Sequence, residues 1–438
     1  MKIIFFEPSV AGNQSVCKDF MGGYGWRFSV GRSWRARLIE LVKKKGEKMP
    51  YLMFAYLAAI FARAGHEVKY VEDKIEKADI VFLASSMVDY ENEINWIKKI
   101  KASGSKIGVI GPFAGQKPEL YLRYADFVIV GEPESAAIKI ASGEIDPKGI
   151  IKEKIIDDLD ILPFPKWDIF PVSKYSYVPA LRQKPFLPIL SSRSCPYNCN
   201  YCPYLVMYSK YRMRSANNVL EEIKYLHDNF GIKAMLFRDP IFSLNRPRTE
   251  RIIQGLINMD LGIRWACETR LDHLDEALLD LMYKAGVRVI NVGVESSDYD
   301  ILKKATRKPI EIEHQEKIIK YCEKIGIRVT AFYIFGLPDD TVESIKNTIK
   351  YAKKLNTHAA QFFLSTPFPG TQFYQQTEDK IFDHDWKHFD CYTPVMNHKN
   401  LSPEELLKLK EKAFVSYYYR PRYAWYFIKR VIRDLIWP

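Results

Sequence analysis

The chain has no apolar run long enough to cross a bilayer. Its longest, Tyr51–Ala62, is 12 residues and stops at Arg63, against the roughly 20 that a spanning helix needs, so it reads as a core helix. Only four apolar residues separate Lys2 from Glu7, too few for a secretory signal, and a cytoplasmic location is expected. Glycine and proline are modest, at 22 and 24 of 438 residues, which excludes collagen and low-complexity chains. Cysteines number seven, too few for a disulfide scaffold and odd, which suits a reducing compartment where thiols serve as ligands or core fillers. Present in plenty are apolar residues, 47% of the total with 14% aromatic, enough for two or three domains with a large buried core.

Acids are in deficit, and the deficit is local. Of the net charge of +12, residues 9–49 hold nine Lys and Arg against three acids, and residues 399–438 hold nine against four. Both segments are also aromatic, with Tyr24, Trp26, Phe28 and Trp34 in the first and Tyr417–Tyr419, Tyr423, Trp425, Tyr426, Phe427 and Trp437 in the second. Cations and rings together suit an anionic membrane surface, simple docking onto the protein body, or, less favoured, nucleic acid. In the last stretch Ala424, Phe427, Ile428, Val431, Ile432 and Leu435 recur at helical spacing beside Lys429, Arg430 and Arg433, which predicts a basic amphipathic helix.

Over residues 1–145, short apolar runs alternate with helical patterns. Strands are expected at Ile3–Phe6, Glu67–Val71, Asp79–Ala84, Lys106–Ile110 and Asp126–Val130, and helices at 51–64, 90–101, 117–124 and 134–142. This predicts a doubly wound parallel α/β sheet of Rossmann type, interrupted by the basic insertion 9–49. Ligands of such sheets sit beyond the strands' carboxyl ends, which carry Ser85-Ser86, Gly111-Pro112 and Gly131-Glu132-Pro133. Residues 146–186, rich in Pro, Ile and Asp, read as an ordered linker.

From 187 to 375 six further strand patterns, Leu187–Ser192, Lys233–Arg238, Ile263–Thr269, Arg288–Glu295, Arg328–Phe335 and His358–Leu364, alternate with helices near 216–229, 247–259, 274–285, 311–325 and 341–355. Six βα units predict a partial barrel with chemistry at the strands' carboxyl ends. Residues 376–438 then form loops and two basic helices.

The sharpest feature follows the first of these strands. Cys195, Cys199 and Cys202 stand in Cys-x3-Cys-x2-Cys spacing, which lets three thiolates wrap one face of an iron–sulfur cube and leaves its fourth iron without a protein ligand. Zinc, which takes four ligands, is the competing reading, and free core thiols are a third. Cys17, Cys267, Cys322 and Cys391 show no companion spacing, although Cys267 is placed to reach the barrel interior.

With Tyr201 before its third cysteine, this motif closely resembles the radical S-adenosylmethionine (SAM) superfamily. Val292-Gly293-Val294-Glu295-Ser296 resembles that superfamily's Gly-x-Glu-Ser segment, Ile334-Phe335-Gly336-Leu337-Pro338 its Phe-x-x-Gly-Leu-Pro strand end, and Thr366-Pro367-Phe368-Pro369-Gly370-Thr371 its Pro-x-Pro-Gly-Thr turn. The amino-terminal half is similar to the cobalamin-binding domain that precedes the radical core in one large subgroup. That likeness is carried by Pro50-Tyr51-Leu52, Ala64-Gly65-His66-Glu67-Val68, Val109-Ile110-Gly111-Pro112 and Val128-Ile129-Val130-Gly131-Glu132-Pro133. The Asp-x-His-x-x-Gly motif is absent, so no histidine ligand to cobalt is expected.

The resemblance implies a [4Fe-4S] cluster on Cys195, Cys199 and Cys202 whose open iron binds SAM, with cleavage to a 5′-deoxyadenosyl radical. It implies Tyr201, Phe335, Gly336 and Leu337 near the adenine, Glu295 and Ser296 near the sugar or methionine end, and cobalamin at Ser85, Ser86, Gly111, Pro112, Gly131 and Glu132. Methyl transfer to an unactivated carbon is the expected reaction. A radical rearrangement, cyclisation or carbon–carbon coupling is the alternative, and an iron–sulfur electron-transfer or assembly protein is the alternative of another class. The expected partners are a reductant such as flavodoxin or ferredoxin and a small-molecule or lipid-like substrate, phosphorylated or lipid-linked, met at an anionic membrane surface. Asp239, His358 and the His384/His388 loop lie where a substrate would enter.

Overall fold

In a computed structural model, residues 1–9, 16, 18–43 and 47–425 are described. Ile3, Ile4, Phe5 and Phe6 are all buried, as a strand covered on both faces requires. They form β1 (Lys2–Glu7) of a six-stranded, wholly parallel sheet with β2 (Glu67–Glu72), β3 (Ile80–Ala84), β4 (Lys106–Ile110), β5 (Phe127–Ile129) and β6 (Gly149–Ile151), in the order β2-β1-β3-β4-β5-β6. The order reverses at β1, so the crevice between the carboxyl ends of β1 and β3 is the switch point. The 12-residue apolar run is α2 (Leu52–Arg63), buried around nearly its whole circumference; α1 is Trp34–Lys43.

The structure corrects three expectations here. Residues 149–151 lie in the segment read as linker yet add a sixth strand, an edge strand of three residues with Ile150 exposed, too short to show a period. The helix expected over 117–124 is Pro118–Leu122, and an unexpected short helix, Pro112–Gln116, precedes it; the two stay separate because Pro118 cannot continue a helix begun at Pro112. Helix α1 lies inside the basic insertion, where charge masks its pattern.

The second sheet is a sequential, all-parallel open barrel of β7 (Phe186–Ile189), β8 (Ala234–Phe237), β9 (Arg264–Thr269), β10 (Val287–Glu295), β11 (Arg328–Phe335) and β12 (Ala359–Leu364). Along β11 the odd-numbered side chains Val329, Ala331, Tyr333 and Phe335 are buried, while Thr330, Phe332 and Ile334 face a central cavity. Its helices start at strong caps: Ser215 accepts from Asn218 N, and Thr341 forms a capping box with Ser344.

Much of the basic, aromatic sequence is structural. The segment 18–31, with a 3-10 turn at Met21–Gly23, crosses from the first sheet to the barrel: Tyr24 is fully buried with its hydroxyl on Pro369 O, and Trp26 and Phe28 pack on Phe363, Tyr392 and Phe414. Lys18 is buried against Glu93 at 2.8 Å. Helix α10 (Pro403–Tyr418) and the turn after it dock on β12, where the Tyr418 hydroxyl bonds Ala360 N and O, and Tyr423 OH donates to His358 O. Docking therefore accounts for these rings. Trp34, Leu38, Leu41, Tyr419 and Trp425 stay exposed. Most of the expected amphipathic helix, including Tyr426, Phe427 and Trp437, lies outside the described residues, as does Cys17. Among the described residues no helix is long and apolar enough to cross a membrane.

Candidate active site

The loop that carries the three thiols is held from below and from both sides. Beneath it, Asp239, just past β8, accepts from Ser191 N at 2.8 Å, Ser191 Oγ at 2.6 Å and Ser192 Oγ at 2.5 Å. Asp239 is thus a staple for the loop, not a residue at a substrate entrance. Arg248 Nη2 adds a bond to Ser191 O. Ser194 then turns at φ +65°, and Cys202 N closes on Cys199 O at 3.1 Å. On the far side Thr306 Oγ1 donates to Asn198 O, Asn200 N to Ala305 O, and Phe373 N to Asn200 O.

All three cysteines are free. Their charges act on one another, and burial pushes the Cys202 thiol up to about 12 and raises that of Cys195. Zinc takes four ligands, and among the described residues no further His, Cys, Asp or Glu completes a metal group with the trio. Three soft donors on one loop fit a multi-iron cube, which spreads its ligands over separate metals.

Arginine supplies the counter-charge, and the sequence reading missed it. Arg307 Nη1 donates to Tyr201 OH at 3.4 Å, and its Nη2 bonds Gly293 O and lies 3.5 Å from Glu295. Arg270 stacks 4.5 Å above the Tyr197 ring within the loop and keeps one buried guanidinium nitrogen, Nη1, without a partner. Burial raises the Glu295 carboxyl, while Arg307 and Arg270 pull it down. Their signal in the sequence was hidden, since Arg307 follows Lys303 and Lys304 in an ordinary charge run.

Of the six residues expected around SAM, Tyr201 and Glu295 line the cavity with Cys202. Leu337 packs beneath, with Ile301, Ala305 and the Tyr201 ring. Gly336 makes the turn at φ +78°, its N–H and that of Leu337 donating to Asp340. Two expectations are corrected. Phe335 points away from the cavity and packs on Phe362, and Ile334 takes its place, because adjacent residues of a strand face opposite sides. Ser296 is turned to Thr348 and caps Asp298 N. The same parity puts Glu268 on the cavity and Cys267 against the outer layer, where Cys322 is a neighbour; the other cysteine on the wall is Cys391. His358 does line the cavity, but His384 faces a separate groove and His388 bonds Asp383.

At the first sheet's carboxyl edge, Ser85, Ser86, Gly111, Pro112, Gly131 and Glu132 come together as the topology requires. Their polar atoms are committed within the protein: Ser85 Oγ accepts from Ala114 N, Ser86 Oγ donates to Glu93, and Glu132 pairs with Arg193 and Arg212. What they offer a large planar group is therefore shape, most openly at Gly131, where an added Cβ meets nothing within 4 Å.

Residues 189–352 match the family described as the Radical SAM superfamily. The chain is 29% identical to an uncharacterised methyltransferase of Pyrococcus horikoshii, over 89% of this chain and 94% of that one. It is 30% identical to the anaerobic magnesium-protoporphyrin IX monomethyl ester cyclase of Rubrivivax gelatinosus, over 58% of this chain and 46% of that one. Among solved structures it is similar to the radical SAM methyltransferase TsrM of Kitasatospora setae with cobalamin and a [4Fe-4S] cluster bound, at a TM-score of 0.64 and 14% identity, over 86% of this chain and 74% of that one. The thiol loop and most of the six-stranded barrel lie within the stretch that matches the Radical SAM superfamily, and the barrel together with the preceding parallel sheet shares the fold of TsrM.

Proposed function

We propose that this protein is a cobalamin-dependent radical SAM methyltransferase that alkylates an unactivated carbon. The observation that carries it is the free thiol trio on one loop, whose Cys202 lines the same cavity as Tyr201 and Glu295. The names of the relatives in Pyrococcus and Kitasatospora support methyl transfer over cyclisation. Cys195, Cys199 and Cys202 would hold the cluster, Tyr201 and Glu295 would receive SAM, and the first sheet's edge around Gly131 would receive cobalamin. Together these groups supply one-electron cleavage of a sulfonium and a transferable methyl. The protein's part is placement and dryness: Arg307 fixes Tyr201 and Glu295, the Asp239 staple fixes the loop, and the aromatic wall of Phe20, Trp26 and Phe368 excludes water.

The test is anaerobic reconstitution with SAM, hydroxocobalamin and a reductant, so that the reduced cobalamin accepts the methyl from SAM. Wild type is expected to release 5′-deoxyadenosine together with S-adenosylhomocysteine, and Cys199→Ala neither. Deoxyadenosine alone would establish the cyclase-type alternative, and absence of both products in wild type would remove the radical reading.

A second reading concerns where the enzyme works. Trp34, Leu38 and Leu41 recur at i, i+4, i+7 on the open face of α1, next to Tyr419 and beside Arg35, whose guanidinium sits over both rings. Apolar side chains flanked by cations suit an anionic bilayer surface, and we assign this face to it.

A further inference from the structure

The barrel encloses a cavity of about 330 Å³ that runs from Tyr201 and Cys202 to the middle of the strands. Along β11 it is lined by Thr330, Phe332 and Ile334, a depth of about 13 Å at the usual rise of a strand. Strand register sets its levels. Glu268, Asn291 and Thr330 lie side by side on one level, and Phe332 and Gln361 share the next, nearer the thiols.

Most of the wall is aromatic or aliphatic, which makes its few polar atoms informative. Asn291 is almost wholly buried; its Nδ2 donates to Tyr177 OH at 2.8 Å while its Oδ1 has no partner. Gln361 Oε1, one level up, has none either. A buried carbonyl oxygen left unpaired is costly, so two of them beside one cavity mark where a donor from outside belongs. The charged groups agree in sign. Glu47, Glu268 and Glu295 line the cavity, and no lysine or arginine does among the described residues; the guanidinium that balances Glu268 is Arg238, behind the wall and shared with Asp19.

We propose that the deep part of this cavity, below the thiol end that receives SAM, selects an elongated, largely apolar substrate that is neutral or cationic and presents an N–H or O–H donor to Asn291 Oδ1 and Gln361 Oε1, and that this deep part rejects carboxylates and phosphates. The proposal rests on the reading of the chain as a radical SAM enzyme and names the substrate class of that same site. It also separates the surface from the site: the basic face of α1 meets anions, and the deep part of the cavity does not.

The test uses the full chain, anaerobically reconstituted, and three probes of one shape: cinnamamide, cinnamylamine and cinnamate. Calorimetry is expected to show the amide and the amine binding at least about tenfold more tightly than the carboxylate, the equivalent of one buried hydrogen bond. Asn291→Leu and Gln361→Leu are expected to erase that preference while cluster absorbance stays unchanged. Asn291→Asp keeps the side chain's shape and carries the test if the leucine variants fold poorly; it is expected to strengthen cinnamylamine and weaken cinnamate further. Equal or tighter binding of cinnamate, a preference that survives in every variant, or binding of none of the three would overturn the proposal. Release of 5′-deoxyadenosine by the same preparation, measured without probe, is independent: a protein that releases it yet prefers cinnamate refutes the substrate class alone.

Discussion

Arg193 donates through Nη1 to Glu132 Oε2 at 2.5 Å, with both side chains almost wholly buried. Arg193 stands two positions before the first thiol, and Glu132 lies at the carboxyl edge of the other sheet. Glu134 takes the second arm of Arg193, and Arg212 takes the second oxygen of Glu132. The thiol loop is therefore registered against the amino-terminal sheet by a closed ionic network and not by apolar contact alone.

Breaking a buried pair by removing one partner costs about 3–5 kcal/mol. Glu132→Gln is expected to lower stability by that order in urea unfolding, because it leaves Arg193 and Arg212 to share Glu134. It should also broaden the electron paramagnetic resonance spectrum of the reconstituted cluster, since the loop loses its anchor. An unchanged midpoint and spectrum would show that the network carries no positioning.

Arg307 is the second case of a residue that acts through others. It bridges Tyr201 and Glu295, so Arg307→Met leaves a buried carboxylate uncompensated and frees the Tyr201 ring. We expect SAM affinity, measured by equilibrium dialysis, to fall at least about tenfold, the consequence of losing a charge-assisted bond of 1.5–3 kcal/mol. Arg307→Lys is expected to recover part of it, because the charge returns without the two-pronged geometry. Equal affinity in all three proteins would remove Arg307 from the site.

Asp89 gives a pH signature at the edge of the first sheet. Burial and the nearby Glu93 carboxylate push it up to about 6, against the pull of Lys18 and Arg27 and a hydrogen bond from Asn92. Its folded value lies above its unfolded value, so the native state binds the extra proton. Stability from this group is present near pH 4 and is lost as pH rises through 6. Asp89→Asn should therefore raise stability at pH 7, by about 2–3 kcal/mol at most, and have little effect near pH 4. A variant with the same pH slope as wild type between 4 and 7 would place the titration elsewhere.

The barrel was legible in the sequence, and its details were legible only where chemistry broke a tie. All six barrel strands sit where the alternation puts them, because the first five are each separated from the next by a long amphipathic helix. The parity of β11 was not readable, since Ile334 and Phe335 are equally apolar and only packing decides which faces in. The short helix Pro112–Gln116 was not readable, since five residues are too few to show a period. Asp239 and Arg307 show the limit for charged residues: a lone acid and a basic run look the same whether they serve solvent, a staple or a site. The three cysteines had no such ambiguity, because their spacing has few structural uses.

The exposed face of α1 bears on where the enzyme meets its substrate. Trp34 and Tyr419 meet edge to face at 6.3 Å with Arg35 over both rings, while Leu38 and Leu41 continue the stripe into solvent. An isolated apolar stripe on a soluble surface is a liability; flanked by Arg32, Arg35 and Arg37 it becomes a headgroup-level contact. In flotation with vesicles containing phosphatidylserine, wild type is expected to partition at least about fivefold more than the triple variant Trp34→Ser, Leu38→Ser, Leu41→Ser, and the difference should shrink as salt is raised, because the cationic share is screened within a Debye length of about 10 Å or less. None of the three side chains touches the cavity, so deoxyadenosine release in detergent-free buffer should be the same for both proteins. Equal flotation of wild type and variant would return α1 to the status of a solvated helix and leave the cavity's preference for neutral or cationic substrates as the guide to what the enzyme modifies.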